Sequence, residues 1–175
     1  MGQGPRSAGR GREEDVAPLR VGVISDTHGL LRPEAAAFLR GSHCIVHGGD
    51  IGGAGILEAL GEIAPVTAVR GNNDFGAWAE GIRDTERLEI RGIAIYAIHD
   101  LSQMRIEPRS AGVRVVVCGH SHKPIVEDRQ GVLLVNPGSA GPRRFRLPIS
   151  IGEIIIGNNG AISARTIELA IEGPA

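Results

Sequence analysis

Short apolar runs recur along this chain, and they constrain its fold more than any other feature of the sequence. The runs at residues 19–25, 43–47 and 65–70 alternate with two helix-like segments, at 33–40 and 54–62. Such alternation is typical of β-α-β units, which build a mostly parallel sheet with helices on its faces. The first half of the chain is therefore predicted to be α/β.

The pattern changes after residue 85. A hairpin, a polar helix and a buried strand are predicted next, at residues 87–98, 101–111 and 113–118. The last third carries only strand-like segments joined by turn-forming residues, at 125–128, 132–135, 149–156 and 161–168. These strands are enough for a second sheet. We therefore predict an α/β fold, a four-layer α-β-β-α sandwich of two mixed sheets flanked by helices.

Length and composition predict one domain and exclude some functions. The chain has 175 residues, of which 42% are hydrophobic and 3% aromatic. Residues 1–18, rich in Gly and Arg, are predicted to be a flexible tail, and residues 19–175 a single domain. The net charge of -1 gives no electrostatic signal for nucleic-acid binding. No apolar run approaches the ~20 residues that span a bilayer, so we expect no membrane association and a cytoplasmic location.

Five clusters of metal-ligating residue types each follow a predicted strand. They are Asp26-Thr27-His28, Gly49-Asp50, Gly71-Asn72-Asn73-Asp74, His99-Asp100 and Gly119-His120-Ser121-His122. Successive clusters are separated by roughly one strand and its connection. Because the carboxyl ends of strands in an open α/β sheet meet at one edge, where ligands bind, the five loops can share one cleft.

The candidate ligands are two carboxylates, one amide oxygen and four imidazoles. In that order they are Asp26, Asp50, Asn72, His28, His99, His120 and His122. This set suits Mn, Fe, Zn or Co better than Ca, and it lacks the thiolates of structural zinc sites. Seven groups are too many for one tetrahedral ion and suit two ions that share a carboxylate. Each cluster taken singly also fits a helix cap or a turn, but all five in order favour a metal site.

The ordered set D-x-H, G-D, G-N-x-D, H and G-H-x-H resembles the motifs of the calcineurin-like metallophosphoesterase superfamily. The short length, GNND at 71–74 and NPGS at 136–139 are most similar to its small YfcE-like phosphodiesterase branch. The resemblance covers about residues 20–168. It implies a dinuclear-metal-dependent phosphoesterase, first of all a phosphodiesterase, in which a metal-bridging hydroxide attacks phosphorus in line with the leaving oxygen.

The resemblance also implies which residues hold the metals. One ion would be held by Asp26, His28, Asp50 and His122, and the other by Asp50, Asn72, His99 and His120. Asp50 would bridge the two. The implied cofactors are two divalent metal ions, Mn first and Fe, Ni, Zn or Mg as alternatives, and the implied partner is a small phosphate ester.

Two positions depart from the motifs of this family. Asn73 stands where larger members carry His, and Leu101 stands where the small branch carries a second His after His99. Asp50, Asn73 and Asp74 are predicted to serve catalysis, Asn73 as a hydrogen-bond donor and Asp74 by orienting the site. General acid catalysis is typically worth 10²–10⁴-fold. Because no imidazole acid is available, we expect diesters with acidic leaving groups to react much faster than alkyl monoesters.

Arg143, just after the NPGS segment, is predicted to contact a substrate phosphate, the alternative being a solvated basic turn. Two other functions stay open, a phosphomonoesterase or protein phosphatase and a non-catalytic protein-binding scaffold. The small subunit of the retromer complex resembles this fold and is such a scaffold. A scaffold predicts eroded ligands, whereas all seven positions here hold competent residue types. Apolar strands in the last third are compatible with a homo-oligomer.

Overall fold

The computed structural model describes residues 17–144 and 146–171, so most of the predicted tail lies outside the described residues. The first sheet and its helices comprise β1 (Leu19–Ile24), α1 (Pro33–Leu39), β2 (Cys44–His47), α2 (Ala54–Gly61), β3 (Val66–Ala68), β9 (Ser150–Ile156) and β10 (Ile162–Glu168). The second sheet comprises β4 (Thr85–Ile90), β5 (Ile93–Ile98), β6 (Val113–Val117), β7 (Ile125–Arg129) and β8 (Val132–Asn136). Single 3₁₀ turns lie at Ala77–Ala79 and Leu101–Gln103.

Both sheets are mixed, as predicted. The first has the strand order β10-β9-β1-β2-β3, with β1, β2 and β3 parallel and the two C-terminal strands antiparallel to their neighbours. The second has the order β4-β5-β6-β8-β7, with β5, β6 and β8 parallel. The predicted α/β sandwich of two mixed sheets is therefore confirmed. In each sheet the parallel strands bring their carboxyl ends to the same edge.

The core between the sheets is built from aliphatic side chains. Val21 and Val23 of the first sheet lie in one fully buried cluster with Ile95, Val115 and Val117 of the second. No aromatic residue belongs to this cluster, in keeping with the low aromatic content. β-Branched residues fill it well because they are stiff and suit a pleated surface. The packing of the two sheets fixes the relative positions of the loops that carry the five predicted clusters.

Helices cover the outer face of the first sheet. α1 begins at Pro33, where the ring fixes a helical φ and the missing N–H is not needed. Its buried residues Ala35 and Leu39 pack with Ile56 and Leu60 of α2 in a second cluster. Among the described helices, none has the length and apolar character needed to cross a membrane.

The helix predicted at residues 101–111 is wrong. Only Leu101–Gln103 is helical, as one 3₁₀ turn. Pro108 has no N–H to donate, and its ring would clash with the preceding turn of an α-helix. The chain turns instead, and the backbone N–H of Ser110 donates to the Glu107 carboxylate at 2.6 Å. The outer face of the second sheet is therefore covered mainly by turns.

Candidate metal centre

The loops after β1 and β2 run side by side and extend the pairing of those strands. The backbone N–H of Asp26 donates to the Gly49 carbonyl, and that of His28 donates to the Asp50 carbonyl, both at 2.9 Å. The side chains of Asp26, His28 and Asp50 are thus presented from adjacent backbone segments. This arrangement brings two of the predicted clusters together.

Five of the predicted ligands have a left-handed backbone conformation. Their φ angles are 54° at Asp26, 46° at His28, 53° at Asp50, 66° at His120 and 57° at His122. The other described non-glycine residues with positive φ are Arg91 and Gln130, in two hairpin turns. This conformation is uncommon for residues with a side chain, and it concentrates where structure around a site compensates its cost.

Asp26, His28 and His122 form the first donor group. Their ligand atoms lie within 4.8 Å of one another, and the two imidazole centroids are 5.4 Å apart. Three buried polar atoms of this group, Asp26 Oδ1, His28 Nε2 and His122 Nδ1, have no hydrogen-bond partner among the described residues. Buried polar atoms are costly unless something satisfies them. A divalent cation would satisfy carboxylate and imidazole donors of this kind.

Asn72, His99 and His120 form the second donor group. Asn72 Oδ1 lies 3.1 Å from His99 Nε2 and 3.0 Å from His120 Nδ1. His99 Nδ1 lies 2.7 Å from the Gly48 carbonyl oxygen, which can only accept, so Nδ1 carries the proton. The bond joins the second sheet to the first and turns Nε2 toward Asn72. A backbone acceptor on the other ring nitrogen is typical of metal-binding histidines.

Asp50 lies between the two groups. Its Oδ2 is 3.8 Å from His28 Nε2 and 3.5 Å from His99 Nε2. Asn73 holds the carboxylate from one side, with its backbone N–H donating to Oδ1 at 2.8 Å and its Nδ2 donating to Oδ2 at 2.6 Å. Burial by itself would raise the pKa of Asp50, but hydrogen bonds from His99 and Asn73 outweigh it and hold the pKa well below its ordinary value. Asp50 is therefore an ionised carboxylate.

The imidazoles differ in their electrostatic surroundings. Burial lowers the pKa of His28, the Asp50 charge partly opposes this, and the Arg144 charge adds to the lowering. Burial acts in the same direction on His99, but its hydrogen bonds to Asp50 and to the Gly48 carbonyl raise its pKa overall. His28 is thus held in the neutral form that a metal ligand requires.

Asp74 contacts backbone rather than another ligand. Its Oδ1 accepts from the Gly52 N–H at 2.9 Å and its Oδ2 from the Gly71 N–H at 2.8 Å. These bonds tie the loop after β3 to the loop after β2. A Cβ at Gly71 would overlap the backbone and carboxylate of Asp50, so only glycine permits this close approach.

The predicted phosphate contact, Arg143, is exposed and makes no hydrogen bond or ion pair with any described residue. Its neighbour Arg144 is also exposed, but its charge acts on His28.

The match to a known family covers most of this chain. A calcineurin-like phosphoesterase superfamily domain matches residues 19–157. The chain belongs to this superfamily. It is 37% identical over 134 residues to a probable metallophosphoesterase of Methanocaldococcus jannaschii, covering 69% of this chain and 68% of the relative. It is 26% identical over 138 residues to a phosphodiesterase of the same archaeon, covering 69% of this chain and 83% of the relative.

Solved structures share the fold of this superfamily member. Vacuolar protein sorting 29 from Cryptosporidium parvum matches with a TM-score of 0.71 at 17% identity, over 89% of this chain and 100% of that one. YfcE, a phosphoesterase from E. coli, matches with a TM-score of 0.61 at 21% identity, over 87% and 100%. The predicted resemblance and the predicted fold are both confirmed.

Two buried side chains, Thr27 and His47, support the loops that carry the candidate ligands. Thr27 Oγ1 donates to the Ile51 carbonyl at 2.9 Å and lies 2.9 Å from His47 Nε2. His47 Nδ1 accepts from the Gly49 N–H at 3.1 Å. The sequence assigns no function to Thr27. The position of His47 directly before Gly48-Gly49-Asp50 indicates a supporting or packing residue rather than a ligand.

The NPGS segment links the loops after β1 and β6, a role that sequence analysis missed. Asn136 Nδ2 donates to the Gly119 carbonyl at 2.8 Å and to Ser121 Oγ at 3.0 Å. Ser139 Oγ donates to the Asp26 carbonyl at 3.0 Å. The signal that could have indicated this role is the position of NPGS directly after a predicted strand, which it shares with the five ligand clusters.

Proposed function

We propose that this protein is a phosphodiesterase that uses two divalent metal ions, Mn first, to hydrolyse small phosphate diesters. The observation that carries the proposal is the position of Asp50, whose Oδ2 lies 3.8 Å and 3.5 Å from histidines of two separate donor groups. A carboxylate so placed suits a bridge between two ions. The residues that would hold them are Asp26, His28, Asp50 and His122 for one ion, and Asp50, Asn72, His99 and His120 for the other.

Divalent ions bound there supply Lewis acidity, which activates water and neutralises phosphoryl charge. The chain itself prepares the donors. Asn73 orients Asp50 and keeps it ionised through two hydrogen bonds. The Gly48 carbonyl accepts from His99 Nδ1, so Nε2, which faces Asp50 and Asn72, is the nitrogen that would bind an ion once its own proton is lost. Asp74 positions the loops after β2 and β3 through two backbone amides and needs no proton-transfer role.

The Asn73 amide is engaged with Asp50 and cannot protonate a leaving group. The reaction is therefore proposed to depend on leaving groups that depart without general acid catalysis, which favours diesters of acidic alcohols over alkyl monoesters. Arg144, whose charge reaches His28, is proposed to contact a non-bridging phosphate oxygen together with Arg143. Guanidinium groups suit this task because their planar fork matches a phosphate.

A non-catalytic scaffold is the second candidate, favoured by the fold likeness to vacuolar protein sorting 29. A Vps29 from Entamoeba histolytica is described in complex with Zn²⁺, so metal binding alone does not separate the two functions. Turnover does. The complete set of ligand types and the names of the related proteins support the enzymatic function over the scaffold.

The experiment is hydrolysis of bis-p-nitrophenyl phosphate by metal-stripped protein, with and without Mn²⁺, beside p-nitrophenyl phosphate. We expect Mn²⁺-dependent turnover that is faster with the diester and disappears in Asp50→Ala. Glu127→Ala, which removes an exposed carboxylate on an edge strand, is the matched control and retains turnover. Faster monoester hydrolysis would make the protein a phosphomonoesterase. Absence of both turnover and stoichiometric metal would favour the scaffold.

A further inference from the structure

An open cleft of about 1110 Å³ adjoins the second donor group. Asn72 and His99 line it, and so do Phe75, Tyr96 and Arg105. The cleft therefore extends from the candidate metal centre to residues that are not among the predicted metal ligands. Its size suits an organic group larger than a phosphate.

Phe75 is the most exposed large hydrophobic side chain of the described residues. It is 78% exposed, whereas the next two, Leu30 and Val126, are each 38% exposed. Its backbone follows Asp74, which two amide hydrogen bonds hold in place. An exposed aromatic ring at the edge of a cleft offers a flat apolar face to a ligand.

The cleft also contains an unpaired guanidinium. Arg105 is exposed and makes no hydrogen bond or ion pair with any described residue, whereas Arg70 in the same cleft is paired with Asp84 at 2.6 Å. An arginine can both stack on a planar group and donate hydrogen bonds to acceptors on its edge. Phe75 and Arg105 therefore offer complementary contacts to one planar, acceptor-rich group.

We propose that this cleft binds one ester arm of the substrate, and that this arm carries a planar heteroaromatic ring of the nucleobase class. The inference rests on the proposed function, because the phosphate would lie at the donor groups that form one end of the cleft. Phe75 stacks on the ring, and Arg105 donates to its acceptors. A long alkyl arm fits less well, because the Arg70–Asp84 pair interrupts the apolar lining with charge.

Binding of two ligands that differ only in the base tests this assignment. Adenosine 5′-monophosphate and ribose 5-phosphate are titrated into the Mn²⁺-loaded protein by calorimetry, and Trp78, the only tryptophan, provides a fluorescence readout. Stacking on an aromatic side chain predicts that the nucleotide binds about 5- to 150-fold more tightly. In Phe75→Ala most of this preference is expected to be lost, and the contact of Arg105 with the base accounts for what remains.

Two further variants separate stacking from a general loss of structure. Phe75→Tyr keeps an aromatic face and is expected to retain most of the nucleotide preference. Val126→Ala removes an exposed apolar side chain from β7, outside the cleft, and is expected to leave the ratio unchanged. A ratio that survives in Phe75→Ala would overturn the role of Phe75.

The failure of this inference differs from the failure of the proposed function. Equal affinity of the wild-type protein for both ligands, with bis-p-nitrophenyl phosphate still hydrolysed, would refute the nucleobase site alone. Absence of hydrolysis would refute the proposed function. Binding of adenosine, which carries no phosphate, would then test the nucleobase site by itself. Adenosine binding that Phe75→Ala abolishes would keep the site, and absence of adenosine binding would remove it.

Discussion

At the scale of single residues, His47 shows how a buried side chain sets the backbone around the ligands. Thr27 uses its hydroxyl proton on the Ile51 carbonyl, so its oxygen accepts the proton of His47 Nε2. His47 Nδ1 is then unprotonated and accepts from Gly49. Both contacts require the neutral Nε2–H tautomer. Burial acts in the same direction and lowers the pKa of His47 to about 4.

Acidification is expected to destabilise the protein through His47. Its pKa is about 4 when folded and near 6.5 when unfolded, so the unfolded chain binds more protons between these values. This contribution to stability is complete above pH 6.5 and is lost as the pH falls toward 4, by up to about 1.4 kcal/mol per pH unit. Urea unfolding of metal-free protein at pH 7 and pH 5 measures the loss, and His47→Gln should lose less over the same interval. An NMR titration midpoint of His47 near 6.5 would contradict this prediction.

At the scale of elements, the end of β8 and the segment after it hold the loops after β1 and β6 together. The buried Asn136 is the central contact, because its amide donates to Gly119 and Ser121 while its Oδ1 accepts from the Gly138 N–H at 2.9 Å. His120 and His122 lie in the loop that these donors hold. Supporting contacts of this kind commonly affect metal affinity by 10–100-fold.

Asn136→Asp is expected to weaken both stability and metal binding. The change keeps the acceptor for Gly138 but replaces the donor by a carboxylate oxygen facing the Gly119 carbonyl. We expect a loss of roughly 1–3 kcal/mol in the free energy of unfolding and about 10–100-fold weaker Mn²⁺ binding, measured by urea unfolding and chelator competition. Asn159→Asp is the matched control, because Asn159 Oδ1 accepts from the Ala161 N–H in an exposed turn. Equal effects of the two substitutions would exclude the linking role of Asn136.

At the scale of the whole molecule, the aliphatic core between the sheets positions ligands that come from both of them. Ile95 lies at 0% exposure in this core, on the strand that leads to His99. Ile95→Ala is expected to cost about 2–5 kcal/mol in the free energy of unfolding, with kcat per folded molecule retained, because Ile95 belongs to the inter-sheet core and not to the donor groups. Unfolding curves and active-site-normalised rates test this. The control Val126→Ala should change the free energy of unfolding by less than about 0.5 kcal/mol. An equally small change in Ile95→Ala would contradict the prediction.

The elements and the ligand types were predictable from local sequence. Strand periodicity depends on neighbouring residues, so the run at 43–47 contains β2 and the run at 93–98 coincides with β5. The helix predicted at 101–111 is wrong because Pro108 cannot continue an α-helix, and the chain turns between Glu107 and Ser110 instead. The convergence of the five clusters was also predictable, because parallel strands direct their carboxyl ends to a common edge.

Only the tertiary structure decided how the clusters meet. The place of Asp50 between His28 and His99 depends on the contact of the two sheets at Gly48 and His99, which are far apart in the chain. The left-handed backbone of five ligands depends on loop-to-loop hydrogen bonds, because side-chain-bearing residues do not favour that conformation by themselves. Local propensities determine strands and turns, whereas the distances and exposures within the site arise from packing between distant segments.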